Sequence, residues 1–323
     1  MDKNKLVTGI QPTNNLHIGN LFGAINNFHH QIQQNTEQYV FAADLHTLTT
    51  TRSSKETCYD LFKLIITICG SHNIQYYLQS DLSEELGIMT WFLSCKTPMG
   101  LLSRMTQYKD KKDQYPNVGL FTYPILMAAD ILSVGATHVP VGIDQKQHIE
   151  FTRDMAESIN NASTTGQIFT LPTPIISPEM KILDLQTGKK MSKSSSNTMG
   201  TIFLMDSPDI IRQKIQRATT DSFPMPTDIK AIEKSRPFIY NLCNVAAAMG
   251  TNFATIQQQF GEQNIVAFKR YLTDQMINYL TPIQEAVMSI SNREIDHLLD
   301  LNRPKVKAEM CQTLKQLKTV FFY

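Results

Sequence analysis

Membrane-spanning runs, paired cysteines, one-sided charge and the common dinucleotide motif are all missing from this chain of 323 residues. No stretch approaches the ~20 apolar residues that cross a bilayer. The opening MDKNKLVTGIQ has no apolar signal core, so export is not expected. The five cysteines, Cys58, Cys69, Cys95, Cys243 and Cys311, are scattered and odd in number. None sits in a Cys-x-x-Cys pair, which argues against structural zinc and for reduced thiols in the cytoplasm. Net charge is only +1. Residues 201–323 carry 14 lysines and arginines against 12 acids, about +2, which leaves about −1 for the rest. That is a thin basic bias for a nucleic-acid binder, so any RNA must meet local clusters. The candidates are Arg212, Lys214 and Arg217; Lys230, Lys234 and Arg236; and Arg303, Lys305 and Lys307. No Gly-x-Gly-x-x-Gly is present, which disfavours a dinucleotide site. There is no internal repeat and no low-complexity tail.

What is present is a globular composition, 42% hydrophobic, on a chain long enough for one large or two moderate domains. The first 200 residues alternate short apolar runs with helical patterns. Leu6-Val7-Thr8, Tyr39 to Ala43, Ile74 to Leu78 and Val139 to Val141 read as strands. Cys58 to Cys69 reads as a helix with Leu61, Leu64, Ile65 and Ile68 on one face. Asp144, with Gln147 three positions on, looks like a capping-box start for a further helix. The alternation predicts an α/β fold, a Rossmann-like doubly wound parallel sheet forming a catalytic domain over 1–200. After Gly200 the pattern turns helical. Ser207-Pro208-Asp209 is a helix start, and helices are expected over 239–249, 264–279, 292–301 and 305–320. A C-terminal all-helical domain over 201–323 follows.

Two strings carry chemistry. TGIQPTNNLHIGN reads as strand, turn and helix, the helix over 16–27. A helix start after a strand offers backbone N–H groups and a positive dipole end to phosphate. His17 can stack or bond beside a nucleotide, Gly19 lets a flat group come close, and Asn20 can donate to a phosphate oxygen. KKMSKS places Lys190 and Lys193 among small hydroxyl residues, Ser192, Ser194, Ser195 and Ser196. Such lysines supply positive charge where negative charge develops during nucleotidyl transfer.

A third run, TYPILMAADIL, sets one carboxylate, Asp130, among apolar residues. A buried carboxylate is costly unless paired. It can bond nearby backbone, or it can accept a hydrogen bond from a ligand. An indole N–H is a donor only. Tyr123, Met127, Val139 and Val141 can wall an apolar slot of aromatic size.

In this order the strings resemble the two ATP-handling loops of class I aminoacyl-tRNA synthetases. TGIQP, AADLHTLT, RMTQYKDK, YPILMAAD, VPVGIDQKQH, KKMSKS and RATTDS together are similar to the bacterial-type tryptophanyl branch over essentially the whole chain. The resemblance implies residue roles. Gln11, Pro12, Thr13, Gly19 and Asn20 would contact ATP. Gly142, Ile143 and Asp144 would meet it through backbone and ribose, and Ile182 would lie under adenine. The loop Lys190-Met191-Ser192-Lys193-Ser194 would close on the phosphates. Lys190 and Lys193, with Lys111, would act on the transition state. Asp130 would select tryptophan, Gln145 would bind near its amino group, and Val7 would stand in the pocket wall.

It also implies ATP with Mg²⁺ as co-substrate, no protein-bound metal, tRNA(Trp) as partner, a homodimer, and a helical domain that reads the anticodon. The chain departs from the family pattern at Val7, where an aromatic is usual, at Thr8 for Ser, and at Ile143 for Glu. Lone Cys311 does not support the iron–sulfur site of some relatives. Three alternatives stay open on the residues alone: a tyrosyl enzyme, a non-catalytic paralogue that binds tRNA or senses tryptophan, and a small-molecule adenylyltransferase.

Overall fold

The computed structural model describes residues 4–12, 16–25, 36–50, 52–176, 182–189, 191 and 198–322. Five parallel strands form one sheet: β1 (Asn4–Ile10), β2 (Thr36–Ala42), β3 (Ile74–Leu78), β4 (His138–Val141) and β5 (Thr173–Ile176). Their order is β3-β2-β1-β4-β5. β1 runs in register with β2, Val7 beside Tyr39 and Gly9 beside Phe41, and meets β4 at Leu6 and His138. The crossovers leave β1 in opposite directions. In such sheets ligands bind outside the carboxyl ends of the strands where the order reverses, here β1 and β4.

Helices flank the sheet. The crossover helices are α1 (Lys55–Cys69), α2 (Ser83–Lys96), α3 (Thr106–Lys111), α4 (Val118–Ser133) and α5 (Lys146–Ala162). Ser54 caps α1 by accepting from Thr57 N–H at 3.2 Å, and Asn117 caps α4 by accepting from Leu120 N–H at 2.8 Å. The second half holds α6 (Pro208–Gln216), α7 (Pro237–Ala248), α8 (Phe253–Phe260), α9 (Ile265–Ser289) and α10 (Asn292–Phe322). The α6 start is as the sequence predicts, with Pro208 in the first turn and Ser207 as cap.

One correction concerns the end of the chain. The two helices expected over 292–301 and 305–320 are a single 31-residue helix that runs through Pro304. An internal proline costs a hydrogen bond and a clash. Burial offsets it: Val306, Met310, Leu314 and Leu317 of α10 lie in one apolar core with Val7, Tyr39, Phe41, Tyr77, Ile125 and Val139. A second correction is at the start of α5. Gln147 does not close a capping box; its Oε1 accepts from Thr106 N–H and Oγ1–H. A short 3₁₀ turn, Ile143–Gln145, precedes the helix instead.

By contacts the chain divides into two compact units. One comprises Met1–Thr13, Phe28–Ser177 and Ile290–Tyr323; the other comprises Asn14–Asn27 and Pro178–Ser289. The cut therefore differs from a single boundary at Gly200, because the apolar stripe of α10 is buried in the core of the sheet unit.

Candidate active site

In the sheet unit, the chain leaves β1 as Gln11-Pro12 and leaves β4 as Gly142, followed by Ile143 and Asp144 in the 3₁₀ turn. The reversal point thus carries five of the residues assigned to ATP. Asp144 accepts from Gln145 Nε2 at 3.0 Å. Lys111 is exposed at the last position of α3. Thr13, Lys190, Ser192, Lys193 and Ser194 lie outside the described residues.

Asp130 sits on α4 and is 1% exposed. It is not alone in apolar surroundings, as the sequence suggests. Gln79 Nε2 donates to both carboxylate oxygens, at 2.8 and 2.9 Å. His46 Nε2 lies 2.9 Å from Oδ2. Burial raises the Asp130 pKa, and the bonds to His46 and Gln79 pull it back. Gln79 is itself oriented, because its Oε1 accepts from Leu45 N–H at 3.1 Å, which turns the amide nitrogen to Asp130. A carboxylate offers about four acceptor sites. Three contacts engage them, so one further donor can be accepted.

Sequence reasoning named neither His46 nor Gln79 as a site residue. Both stand just past the carboxyl end of a buried strand, His46 after β2 and Gln79 after β3. A polar residue in that place was the available signal.

Around this acceptor the expected walls come from three elements. Tyr123 and Met127 share the face of α4 that holds Asp130, at helical spacing. Val139 and Val141 alternate on β4, and Val7 lies on the neighbouring β1. Tyr123 and Val139 are buried, while Met127, Val141 and Gln145 are half-buried. The rings of His46 and Tyr123 meet edge to face, centroids 6.3 Å apart. The Tyr123 hydroxyl bonds Nε2 of His148, a fully buried residue of α5. Burial lowers the His148 pKa to about 4, so the ring is neutral. Asp144 opposes that shift and His46 adds to it.

The second unit holds the His-x-Gly-x string. The helix expected over 16–27 is one α turn, Ile18–Asn20, followed by a π turn, Leu21–Ile25. Antiparallel backbone pairing fixes its start: Ile18 N–H donates to Ile202 O at 3.0 Å, and Leu204 N–H to Leu16 O at 2.8 Å. The space over Gly19 belongs to the chain's own His17, since a Cβ there would lie 3.0 Å from His17 Nδ1. Asn20 Oδ1 accepts from His17 N–H at 3.2 Å. Ile182 and Met191 are buried.

A buried ion pair underlies this pairing. Lys214 Nζ lies 2.6 Å from Asp206 Oδ2, and that oxygen also accepts from Phe203 N–H at 2.8 Å. Lys214 Nζ stands 4.5 Å from the centre of the Phe203 ring. Gln284 donates to the carbonyls of Leu204 and Asp206.

Burial corrects the list of RNA candidates at one position, and ion pairs engage others. Lys214 is 3% exposed and cannot meet a phosphate. Arg236 forks onto both oxygens of Asp221, at 2.7 and 2.6 Å. Arg303 pairs with Asp81 and Asp300, and Lys307 with Glu84 and Glu85. Arg212 pairs with Asp209 at 2.7 Å, and Arg217, Lys230, Lys234 and Lys305 are exposed.

Comparison with known proteins places the chain in a family. Residues 1–281 match the family described as tRNA synthetases class I (W and Y). A tryptophan–tRNA ligase of Helicobacter pylori is 37% identical over 98% of this chain and 98% of its own length. The crystal structure of a tryptophanyl-tRNA synthetase from Mycoplasma pneumoniae superposes with a TM-score of 0.86 at 30% identity, covering 100% of this chain and 98% of that one. One from Campylobacter jejuni, complexed with ADP and tryptophan, gives 0.82 at 30% identity over 97% and 98%. The chain belongs to the class I tRNA synthetases of the tryptophan and tyrosine group.

Proposed function

We propose that Asp130 selects the amino acid in the reaction this chain carries out, the ATP-driven ligation of L-tryptophan to tRNA(Trp). The observation that carries the assignment is one buried carboxylate, oriented by Gln79 and His46, with capacity for one more donor. The indole N–H supplies that donor. Tyr123, Met127, Val139, Val141 and Val7 give the apolar wall, and Gln145 meets the amino group.

ATP, carrying Mg²⁺ as part of the substrate, is assigned to Gln11, Pro12, Thr13, Gly19, Asn20, Gly142, Ile143, Asp144, Ile182 and Met191. Ser192 and Ser194 complete the loop. The tryptophan carboxylate attacks the α-phosphate in line and pyrophosphate leaves. Lys190, Lys193 and Lys111 stabilise the charge that develops, and no protein nucleophile is needed. The adenylate then passes its acyl group to the terminal ribose of the tRNA and AMP is released.

Residues 201–323 are assigned to anticodon reading. A homodimer is favoured by exposed apolar residues of the sheet unit: Leu48, Trp91 and Val118 are 62%, 70% and 75% exposed. Leu48 and Trp91 line one open cavity of about 370 Å³. Apolar exposure of that kind marks an interface. Among the described residues no helix is long and apolar enough to cross a membrane, and a cytoplasmic setting is proposed. An ATP–pyrophosphate exchange assay across the amino acids tests the reading. Exchange should depend on tryptophan; exchange with tyrosine, or with none, would overturn it.

A further inference from the structure

Gly9 lies near the carboxyl end of β1, hydrogen-bonded into the sheet, with β2 and β4 on its two sides. Yet it is exposed. A residue so placed can reach open space only through a face of the sheet. Counting on from the Leu6–His138 pair, Val7 and Gly9 stand beside Val139 and Val141, on the face that also carries Tyr39, Phe41 and Tyr77.

On that face the ring of Phe41 lies over Gly9. A Cβ on Gly9 would lie 2.7 Å from Phe41 Cε2 and closer still to Cζ, so the ring leans across β2 onto the backbone of β1. Its other side is held: Phe41 stacks on Tyr77 with centroids 5.3 Å apart and planes 24° apart. Tyr77 in turn is near enough to Asp130 for that carboxylate to help burial raise the tyrosine pKa. Phe41 is 4% exposed, so it can offer an edge and no more. Val7, 1% exposed and with two methyl groups, cannot reach over Gly9 in its place. No sequence signal marks Phe41 as more than core, because it sits within the apolar run of β2.

We propose that Phe41 is a specificity-determining residue of the amino-acid site, its ring edge forming the aromatic wall above Gly9 against which the substrate indole packs. Gly9 is required at its position because a side chain there would displace that ring. Edge-to-face contact with an aromatic ligand is the geometry such a ring favours. The proposal rests on the assignment of Asp130 to the tryptophan site.

The test is steady-state pyrophosphate exchange with the full chain, with KM for tryptophan and for ATP measured separately, beside a melting curve. Phe41→Leu should raise KM for tryptophan about tenfold, the upper range of an aromatic pair contact. KM for ATP should hold. Phe41→Tyr, which keeps the ring, should stay near wild type. Should the leucine variant fail to fold, Phe41→Met, apolar and adaptable, carries the same expectation. A variant that melts lower while its KM for tryptophan is unchanged would make Phe41 core only and overturn the proposal. A parallel series at Asp130 separates the two claims. Because an asparagine oxygen could still accept the N–H, the deciding control is Asp130→Ala: altered amino-acid preference there with a silent Phe41 series refutes Phe41 alone, and unaltered preference there refutes the site assignment.

Discussion

The amide nitrogen of Gln79 donates to both carboxylate oxygens of Asp130, a residue 51 positions further along the chain. Leu45 N–H holds the other end of that amide. A glutamine at the end of one strand thus orients the carboxylate of a helix in the crossover that follows it. Removing it leaves a buried acceptor less satisfied, which costs about 1–3 kcal/mol. Gln79→Met should lower stability by that amount in urea unfolding and raise the KM for tryptophan. Unchanged stability would mean that the bond is incidental.

His148 gives a pH dependence. Its pKa is about 4 in the folded protein against an ordinary 6.5. Between those values the unfolded chain binds a proton that the folded chain does not. Stability therefore falls as pH drops from about 7 to 4, by about 3 kcal/mol from this group at most. Urea unfolding at pH 7, 6 and 5 should show the decline. His148→Gln should flatten it, and an equal slope in that variant would assign the effect elsewhere.

The Lys214–Asp206 pair is buried on both sides. Breaking such a pair from one side leaves an uncompensated charge and costs about 3–5 kcal/mol. Asp206→Ala should lower the melting temperature sharply. It also frees Phe203 N–H, and with it the strand-like contact to Leu16 and Ile18. A melting temperature within a degree of wild type would contradict the account.

Lys193 is assigned to charge that develops only in the transition state. Lys193→Ala should slow single-turnover adenylate formation about 10²–10³-fold while tryptophan affinity holds. Equal losses in both measurements would remove it from the chemistry.

Much of the fold is legible in the chain. The run Ile74 to Leu78 is a strand from end to end, and Ser207-Pro208 starts a helix, because apolar periodicity and caps are local signals. Pro304 misleads for the opposite reason. Its local cost says stop, and the core contacts that override it come from strands some 165 to 300 residues earlier. The site divides the same way. Asp130 stands out as a charge in an apolar run. His46 and Gln79 do not, since their meaning lies in a carboxylate on another element. Lys214 looks like surface charge until Asp206, eight residues back, is seen beside it.

The central claim is that Asp130 accepts the indole N–H and so selects tryptophan. A site built around a substrate hydrogen bond rejects analogues that lack the donor by about 10⁴–10⁵-fold. The direct measurement is kcat/KM in pyrophosphate exchange for tryptophan and phenylalanine, in wild type and in Asp130→Ala. Wild type should favour tryptophan by that order. The variant should lose activity on tryptophan while the ratio between the two amino acids collapses. A variant that is less stable yet keeps the wild-type ratio would make Asp130 a structural carboxylate, and would contradict the account.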